Sequence, residues 1–117
     1  MKLRCINLVS QKPEGLAGFY QKVLGGTVQE IVPGRWELPA GGVALVFTHT
    51  CEEVRVPAES CGLEFQVADA DGEYARLQGA GVPVEAPPAT YPWQWRGFGV
   101  KDPDGNNLDF VQYVGDK

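Results

Sequence analysis

The chain has 117 residues and a formal net charge of −5, with 44% hydrophobic and 21% charged residues. This length predicts a single domain, and this composition excludes a disordered chain, a collagen and a coiled coil. The longest apolar run, residues 43–47, is far shorter than the roughly 20 residues of a membrane-spanning helix. The 10 basic residues are scattered rather than clustered. We therefore expect neither a membrane nor a nucleic acid as a partner.

The cysteine pattern bears on the cellular compartment. Cys5, Cys51 and Cys61 cannot all pair within one chain, and no CxxC or cysteine–histidine zinc spacing is present. The first residues also lack the apolar stretch of a secretion signal. Because disulfides are rare in reducing compartments, these features predict free thiols and a cytoplasmic location.

The first half of the chain predicts a strand, a helix and three more strands. Residues 3–9 alternate, with Ile6 and Leu8 on the face that a helix should cover. Apolar residues then recur at helical spacing, Pro13 suits the first turn of this helix, and Gly25 ends it. The three short strands are predicted near residues 27–31, 34–38 and 43–48.

The second half repeats this pattern. A strand at residues 62–67 alternates Leu63 and Phe65 with Glu64, and Asp69 or Asp71 can cap the following helix. The last three strands are predicted near residues 82–85, 95–101 and 107–113. Aligning the halves gives an offset that grows along the chain, which predicts an insertion, most naturally within residues 86–92. Two copies are too few for a solenoid and suit one domain with module one at residues 1–50, a connector at 51–60 and module two at 61–117.

Three motifs in this pattern resemble the vicinal oxygen chelate superfamily, which includes glyoxalase I, extradiol dioxygenases, fosfomycin-resistance enzymes and bleomycin-resistance proteins. They are FYQKVLGG at residues 19–26, LEFQV at residues 63–67 and DPDGNNLDF at residues 102–110. The resemblance covers essentially the whole chain. It implies an α+β fold in which two βαβββ modules form an open half-barrel sheet around a cleft, commonly in homodimers. One fold hosts many chemistries, so the site residues must decide the function.

Metal-using members of that superfamily place ligands, usually His and Glu, on the first and fourth strands of each module. Matched position by position, the resemblance assigns these places to Cys5, Val46, Gly62 and Asp109. Only Cys5 and Asp109 have a side-chain ligand atom, whereas divalent-metal sites usually need three or more protein ligands. We therefore predict no metal cofactor.

A rebuilt metal site would combine Cys5, His49, Glu64 and Asp109 to hold one divalent metal such as zinc, nickel, manganese or iron. Strand alternation places Glu64 on the face of Gly62, and the resemblance implies that Gly62 and Asp109 face the cleft, so Glu64 is expected there too. Alternation places His49 on the opposite face of its strand or in the loop, unless a bulge reverses the parity. This alternative would make the protein a lyase, isomerase or dioxygenase.

Aromatic residues gather at two places in the sequence. Trp36 lies on a predicted central strand of module one, and Tyr91, Trp93 and Trp95 lie in or beside the insertion. In an extended stretch Trp93 and Trp95 share one face. Paired indoles can wall an apolar pocket or stack on a planar or cationic ligand, and the alternative is packing in the core or at a subunit contact.

The leading hypothesis is a metal-free binding protein of the bleomycin-resistance type, active in antibiotic resistance by sequestration rather than turnover. Its ligand would be a small organic molecule, such as an aromatic or cationic drug or metabolite. The predicted ligand-binding residues are Asn7, Trp36, Glu64, Gln66, Trp93, Trp95 and Asp109. Two alternatives stay open: the metal-dependent enzyme, and a structural or regulatory dimer whose tryptophans are buried at the subunit contact.

Overall fold

A computed structural model describes residues 1–52 and 62–115. Internal contacts divide the chain into two units, Met1–Arg55 and Val56–Lys117, called unit 1 and unit 2 below. Cys61 and most of the predicted connector lie outside the described residues. In the described part of the chain, each unit holds one four-stranded sheet and one helix. No helix in this part is long and apolar enough to cross a membrane.

Unit 1 consists of β1 (Cys5–Ser10), α1 (Pro13–Leu24), β2 (Gln29–Val32), β3 (Arg35–Pro39) and β4 (Ala44–His49). The strand order is β1-β4-β3-β2, with β1 parallel to β4 and the other neighbours antiparallel. Pro13 lies in the first turn of α1, and Gly25 follows its last residue with a φ of 79°, which only glycine adopts readily. The predicted elements of this half are confirmed.

Helix α1 covers one face of the unit 1 sheet. Tyr20 of α1 is fully buried against Phe47, with ring centroids 5.2 Å apart. Leu38 and Leu45 lie on the same sheet face as Phe47 and are also fully buried. Each such side chain contributes about 1.5–3 kcal/mol through its removal from water. The opposite face of this sheet carries Asn7 and Val46, which pair across β1 and β4.

Unit 2 consists of β5 (Gly62–Gln66), α2 (Ala70–Gly79), β6 (Ala89–Thr90), β7 (Trp95–Lys101) and β8 (Asn107–Tyr113), in the strand order β5-β8-β7-β6. Of the two predicted caps, Asp69 is the one used: its carboxylate accepts a hydrogen bond from the Gly72 amide at 3.1 Å. The core lies between α2 and the sheet, where Phe98 stacks on Phe110 and meets the edge of Tyr74.

The strand predicted at residues 82–85 is wrong. These residues run as a loop, and the fourth strand of unit 2 is the two-residue β6, in which Ala89 pairs with Gly97. Proline has no amide hydrogen to donate to a strand ladder. Pro83, Pro87 and Pro88 therefore prevent a continuous strand in this segment and delay the pairing until residue 89.

The two sheets have the same topology, so their strand registers match residues directly. Three neighbours across the unit 1 sheet, on β1, β4 and β3, are Asn7, Val46 and Glu37. Their counterparts on β5, β8 and β7 of unit 2 are Glu64, Asp109 and Gly99. Glu64 follows Asn7 by 57 residues, whereas Asp109 follows Val46 by 63. The register thus confirms the repeat and an insertion in the second half.

Candidate functional site

Unit 2 places both predicted carboxylates side by side. Glu64 on β5 pairs directly with Asp109 on β8, and Asp109 stands opposite Gly99 on β7. Adjacent strands lie about 4.8 Å apart, and alternate residues of a strand share a face. Both side chains therefore extend from the face of the sheet that is turned away from α2. Phe98 and Phe110 lie on the other face, in the core beneath the helix.

Two glycines lower the surface of β7 beside the carboxylates. A Cβ on Gly99 would lie 2.9 Å from Oδ1 of Asp109, so the glycine leaves the space that this carboxylate occupies. A Cβ on Gly97 would lie 2.5 Å from the carbonyl oxygen of Phe110, so only glycine permits this approach of the two strands. Together they form a flat backbone floor at the centre of the face.

The Asp109 carboxyl is the electrostatically perturbed group of the site. Burial, and to a lesser extent the charge of Glu64, raises its pKa above the ordinary value. Among the described residues, no hydrogen-bond donor reaches the carboxylate of Glu64 or of Asp109. Two adjacent negative groups without a protein partner favour a cation, because a cation offsets both the mutual repulsion and the loss of hydration.

A cavity of about 430 Å³ lies over this face. Its lining consists of Glu64, Tyr91, Trp93, Trp95, Gly97, Phe98, Asp109 and Val111. The volume lies within the range of about 300–1,000 Å³ that is typical of small-molecule sites. Two carboxylates lie at the bottom of the cavity. The aromatic rings form one of its sides, the aromatic wall.

The aromatic wall is built by the turn between β6 and β7. The rings of Tyr91 and Trp93 stack with centroids 5.0 Å apart and planes 3° from parallel. The turn is closed by the Gln94 amide, which donates to the carbonyl oxygen of Tyr91 at 3.0 Å, and Gln94 adopts a φ of 71°. Trp93 is 66% exposed. Trp93 therefore has exposed surface that a ligand in this cavity can contact.

Arg96 ties this turn to the helix. Its Nε and Nη2 donate to the two carboxylate oxygens of Asp71 in α2 at 2.9 and 2.8 Å. Its Nη1 donates to Oγ1 of Thr90 in β6 at 3.1 Å. The hydrogen bond from Arg96 lowers the pKa of Asp71 below its ordinary value. This bidentate pair joins the first turn of α2 to both strands that flank the aromatic turn.

The positions that the resemblance assigns to metal ligands do not hold a ligand set. Gly62 and Val46 have no side-chain donor, and His49 is the exposed last residue of β4, on the face of Phe47. Within residues 1–52 and 62–115, no three His, Cys, Asp or Glu side chains form a group that could hold a metal ion. The four assigned positions thus supply two side-chain donor groups, those of Cys5 and Asp109, fewer than the three or more that a divalent metal usually takes from the protein.

Three of the predicted ligand-binding residues do not line this cavity. Gln66 is exposed at the end of β5, on the face of Glu64. Asn7 belongs to unit 1, where it accepts a hydrogen bond from the Thr48 hydroxyl at 2.7 Å. Trp36 lies on the central strand β3 as predicted, but it pairs with Phe47 on the helix-covered face. The unit 1 sheet thus separates Trp36 from Asn7. Cys5 and Cys51 are free thiols, as predicted.

Four contributors to the site lie outside the predicted set of ligand-binding residues. They are Tyr91, Arg96, Gly97 and Gly99. A local signal for the glycines does exist, because two glycines at alternate positions of a strand clear one of its faces. The Arg96–Asp71 pair has no local signal, since 25 residues separate its members.

Comparison with known proteins agrees with this architecture. A sequence model of the Glyoxalase/Bleomycin resistance protein/Dioxygenase superfamily matches residues 2–110. A glyoxalase/bleomycin resistance protein/dioxygenase from Nocardioides is 23% identical, with a TM-score of 0.78 over 100% of this chain and 86% of that chain. A glyoxalase/bleomycin resistance protein/dioxygenase family enzyme from Burkholderia phytofirmans PsJN is 18% identical, with a TM-score of 0.81 over 97% of this chain and 100% of that chain.

The lactoylglutathione lyase from Agrobacterium tumefaciens is 19% identical, with a TM-score of 0.75 over 94% of this chain and 92% of that chain. At these identities the structural likeness establishes the fold alone. No curated protein matches the chain. The match over residues 2–110 and the two βαβββ units of the predicted α+β fold show that the chain belongs to the glyoxalase/bleomycin resistance protein/dioxygenase superfamily.

Proposed function

We propose that this protein binds a small organic molecule with a planar, positively charged group, and that it does so without a catalytic metal. One observation carries the proposal. The half-buried Asp109 and its neighbour Glu64, which no described donor reaches, share a cavity of about 430 Å³ with the stacked rings of Tyr91 and Trp93.

The carboxylates supply the charge selectivity. A cation beside Asp109 and Glu64 stabilises both ionised forms, whereas a neutral molecule leaves their repulsion in place. The raised pKa of Asp109 means that protons compete with such a ligand at a higher pH than they would at an ordinary aspartate. We expect affinity to fall as the pH decreases through that raised value.

The aromatic wall supplies the preference for a planar group. An indole face is the most favourable cation–π partner among the side chains, at about 0.5–1 kcal/mol in an exposed site and about 2 kcal/mol when desolvated. Trp93 is exposed and lines the cavity, and the glycine floor at Gly97 and Gly99 lets a flat ring lie close to the backbone. An aromatic or cationic drug or metabolite meets these requirements.

Sequestration is the biological role that fits these features, and antibiotic resistance would follow where the ligand is a drug. Such a role needs tight binding and no turnover.

Members of this superfamily are often dimers, and we propose a homodimer in the cytoplasm for this chain. Sedimentation velocity tests the dimer, and a monomer across the micromolar range would contradict it.

The direct test is calorimetric titration with N-methylacridinium, a planar cation, and with neutral acridine at pH 8. We expect the cation to bind and the neutral compound to bind at least about tenfold more weakly, because the carboxylates distinguish them. Asp109→Asn and Glu64→Gln should each weaken cation binding about three- to tenfold. Glu30→Gln, at an exposed position of β2, is the matched control. Equal binding of the two compounds, or no binding of either, contradicts the proposal.

The metal-free part of the proposal has its own test. The protein is purified without a histidine tag, incubated with zinc, nickel, manganese or ferrous iron, dialysed and measured by elemental analysis. We expect no stoichiometric metal. One tightly held metal ion per chain would overturn this part, and Asp109 and Glu64 would be the first residues to substitute in tracing it.

A further inference from the structure

A second cavity continues along the same face of unit 2. It measures about 460 Å³ and shares Tyr91, Gly97, Phe98 and Asp109 with the first cavity. The two volumes are therefore two ends of one trough along β7. The second end is lined by Lys101 and Asn107 at the close of the β7–β8 hairpin, and by the loop residue Glu85.

The two ends of this trough differ in charge. Glu64 and Asp109 lie at the first end or at its border with the second, and Lys101 is the basic residue among the described lining of both. Lys101 Nζ donates to Oδ1 of Asn107 at 2.6 Å, and no described carboxylate forms a salt bridge with it. An ammonium group has three donors. Two of them remain for water or a ligand.

The spacing of these charges defines the length of a matching ligand. Asp109 stands opposite Gly99, and Lys101 lies two residues further along β7. Two residues of a strand span about 7 Å. A ligand with its positive group over Asp109 therefore reaches Lys101 with an arm of comparable length.

We propose that the natural ligand is an elongated zwitterion. Its planar cationic part lies between the aromatic wall and the two carboxylates, and an anionic group on its arm binds Lys101 beside Asn107. This inference rests on the proposed binding function and adds a specificity-determining residue, Lys101, and a ligand class to it. Glu85 lies at the same end with the opposite charge, and it is exposed, so its attraction for a second cation is the competing possibility that the experiment must separate.

The experiment uses N-alkylacridinium probes with an arm of graded length that ends in a carboxylate, its neutral methyl amide or a primary amine. We expect the carboxylate probe to bind about three- to fivefold more tightly than the amide at the best arm length, as for one exposed ion pair. The amine probe should bind most weakly. The gain from the carboxylate should shrink in high salt, because exposed charges are screened.

Variants assign the effect to one residue. Lys101→Ala should abolish the difference between the carboxylate and amide probes. Lys101→Arg should keep the difference, and Lys2→Ala, which removes an exposed lysine of unit 1, is the matched control.

The outcomes separate this inference from the proposed function. If N-methylacridinium without an arm does not bind, the proposed function fails and this inference fails with it. If it binds but the carboxylate arm gives no gain, or if the gain survives Lys101→Ala, only the anionic subsite is overturned. An amine probe that binds most tightly would overturn it in favour of a dication held by Glu85.

Discussion

Units 1 and 2 have the same topology but differ in the sheet face that is turned away from the helix. In unit 1 the central place on this face is held by Val46, which is fully buried. In unit 2 the same place is held by Asp109, a half-buried carboxylate beside Glu64. The strands beside Val46 pair with it in the same register as the strands beside Asp109. The two faces therefore differ in their side chains and not in their strand pairing.

The polar groups of the two faces are satisfied differently. In unit 1 the Arg35 guanidinium donates to the Thr48 hydroxyl at 3.3 Å, and that hydroxyl donates to Oδ1 of Asn7 at 2.7 Å. In unit 2 no described donor reaches Glu64 or Asp109. Glu37 on the unit 1 face also has no described donor, but it stands beside Val46 rather than beside a second carboxylate. Only in unit 2, among the described residues, do two such carboxylates pair directly across strands, where a cation would offset their repulsion. The two copies of the repeat therefore share one scaffold and differ in the charges that this face carries.

The largest expected effect comes from placing a carboxylate at the equivalent position of unit 1. Val46→Asp should destabilise the protein by about 3 kcal/mol or more, because it places an unpaired charge where no side-chain surface is exposed. Urea unfolding measures this cost, with Val46→Ala as the control for lost packing. If Val46→Asp costs no more than Val46→Ala, the two faces are equivalent environments and the comparison fails.

The glycine floor should be the next most sensitive feature. Gly97→Ala should cost about 1–3 kcal/mol, because the new Cβ meets backbone and the Val111 side chain. Gly99→Ala should cost less, since the Asp109 carboxylate can rotate away, yet it should weaken acridinium binding by displacing that group. Thermal unfolding together with calorimetry separates the two effects. Equal loss of stability in both variants would contradict the distinction.

The ion pair of Arg96 should affect binding more than folding. Arg96→Ala should weaken acridinium binding a few-fold, because it releases the aromatic turn from α2 and β6. Arg76→Ala is the matched control, since it breaks the exposed Arg76–Glu73 pair within α2 and leaves the turn in place. Near-ultraviolet circular dichroism should change for Arg96→Ala alone. Identical behaviour of the two variants would remove the positioning role from Arg96.

The smallest expected effect is the pH dependence of stability. The pKa of Asp109 is raised in the folded state, so its ionised form destabilises the fold at neutral pH, and this cost disappears as the pH falls through the raised value. Asp109→Asn should therefore be slightly more stable than the parent at pH 7. The advantage should vanish below the ordinary aspartate range. Denaturation curves from pH 3 to 8 test this, and a pH-independent difference would show that the charge is not its cause.

Most elements of the fold could be predicted because their signals are local. Helix α1 follows from apolar residues at helical spacing between Pro13 and Gly25, and β7 and β8 have the predicted bounds. The prediction of a strand at residues 82–85 is wrong because the apolar residues there suggest a strand, whereas the neighbouring prolines prevent the pairing that a strand requires. Pairing depends on a partner strand that is distant in sequence.

For the candidate site, the amino-acid sequence by itself determined that Glu64 shares a face with Gly62 and that aromatic residues gather near the insertion, because strand alternation and residue order need no knowledge of neighbouring strands. The expectation that Asp109 faces the same cleft came from the resemblance to the superfamily, and the pairing of β5 with β8 places the two carboxylates side by side. Only the tertiary structure decided that Trp36 faces the helix, that Trp93 stacks on Tyr91 rather than on Trp95, and that Asp109 has a raised pKa. Strand register, turn geometry and burial set these features. Each is a relation between residues that are brought together only when the chain folds.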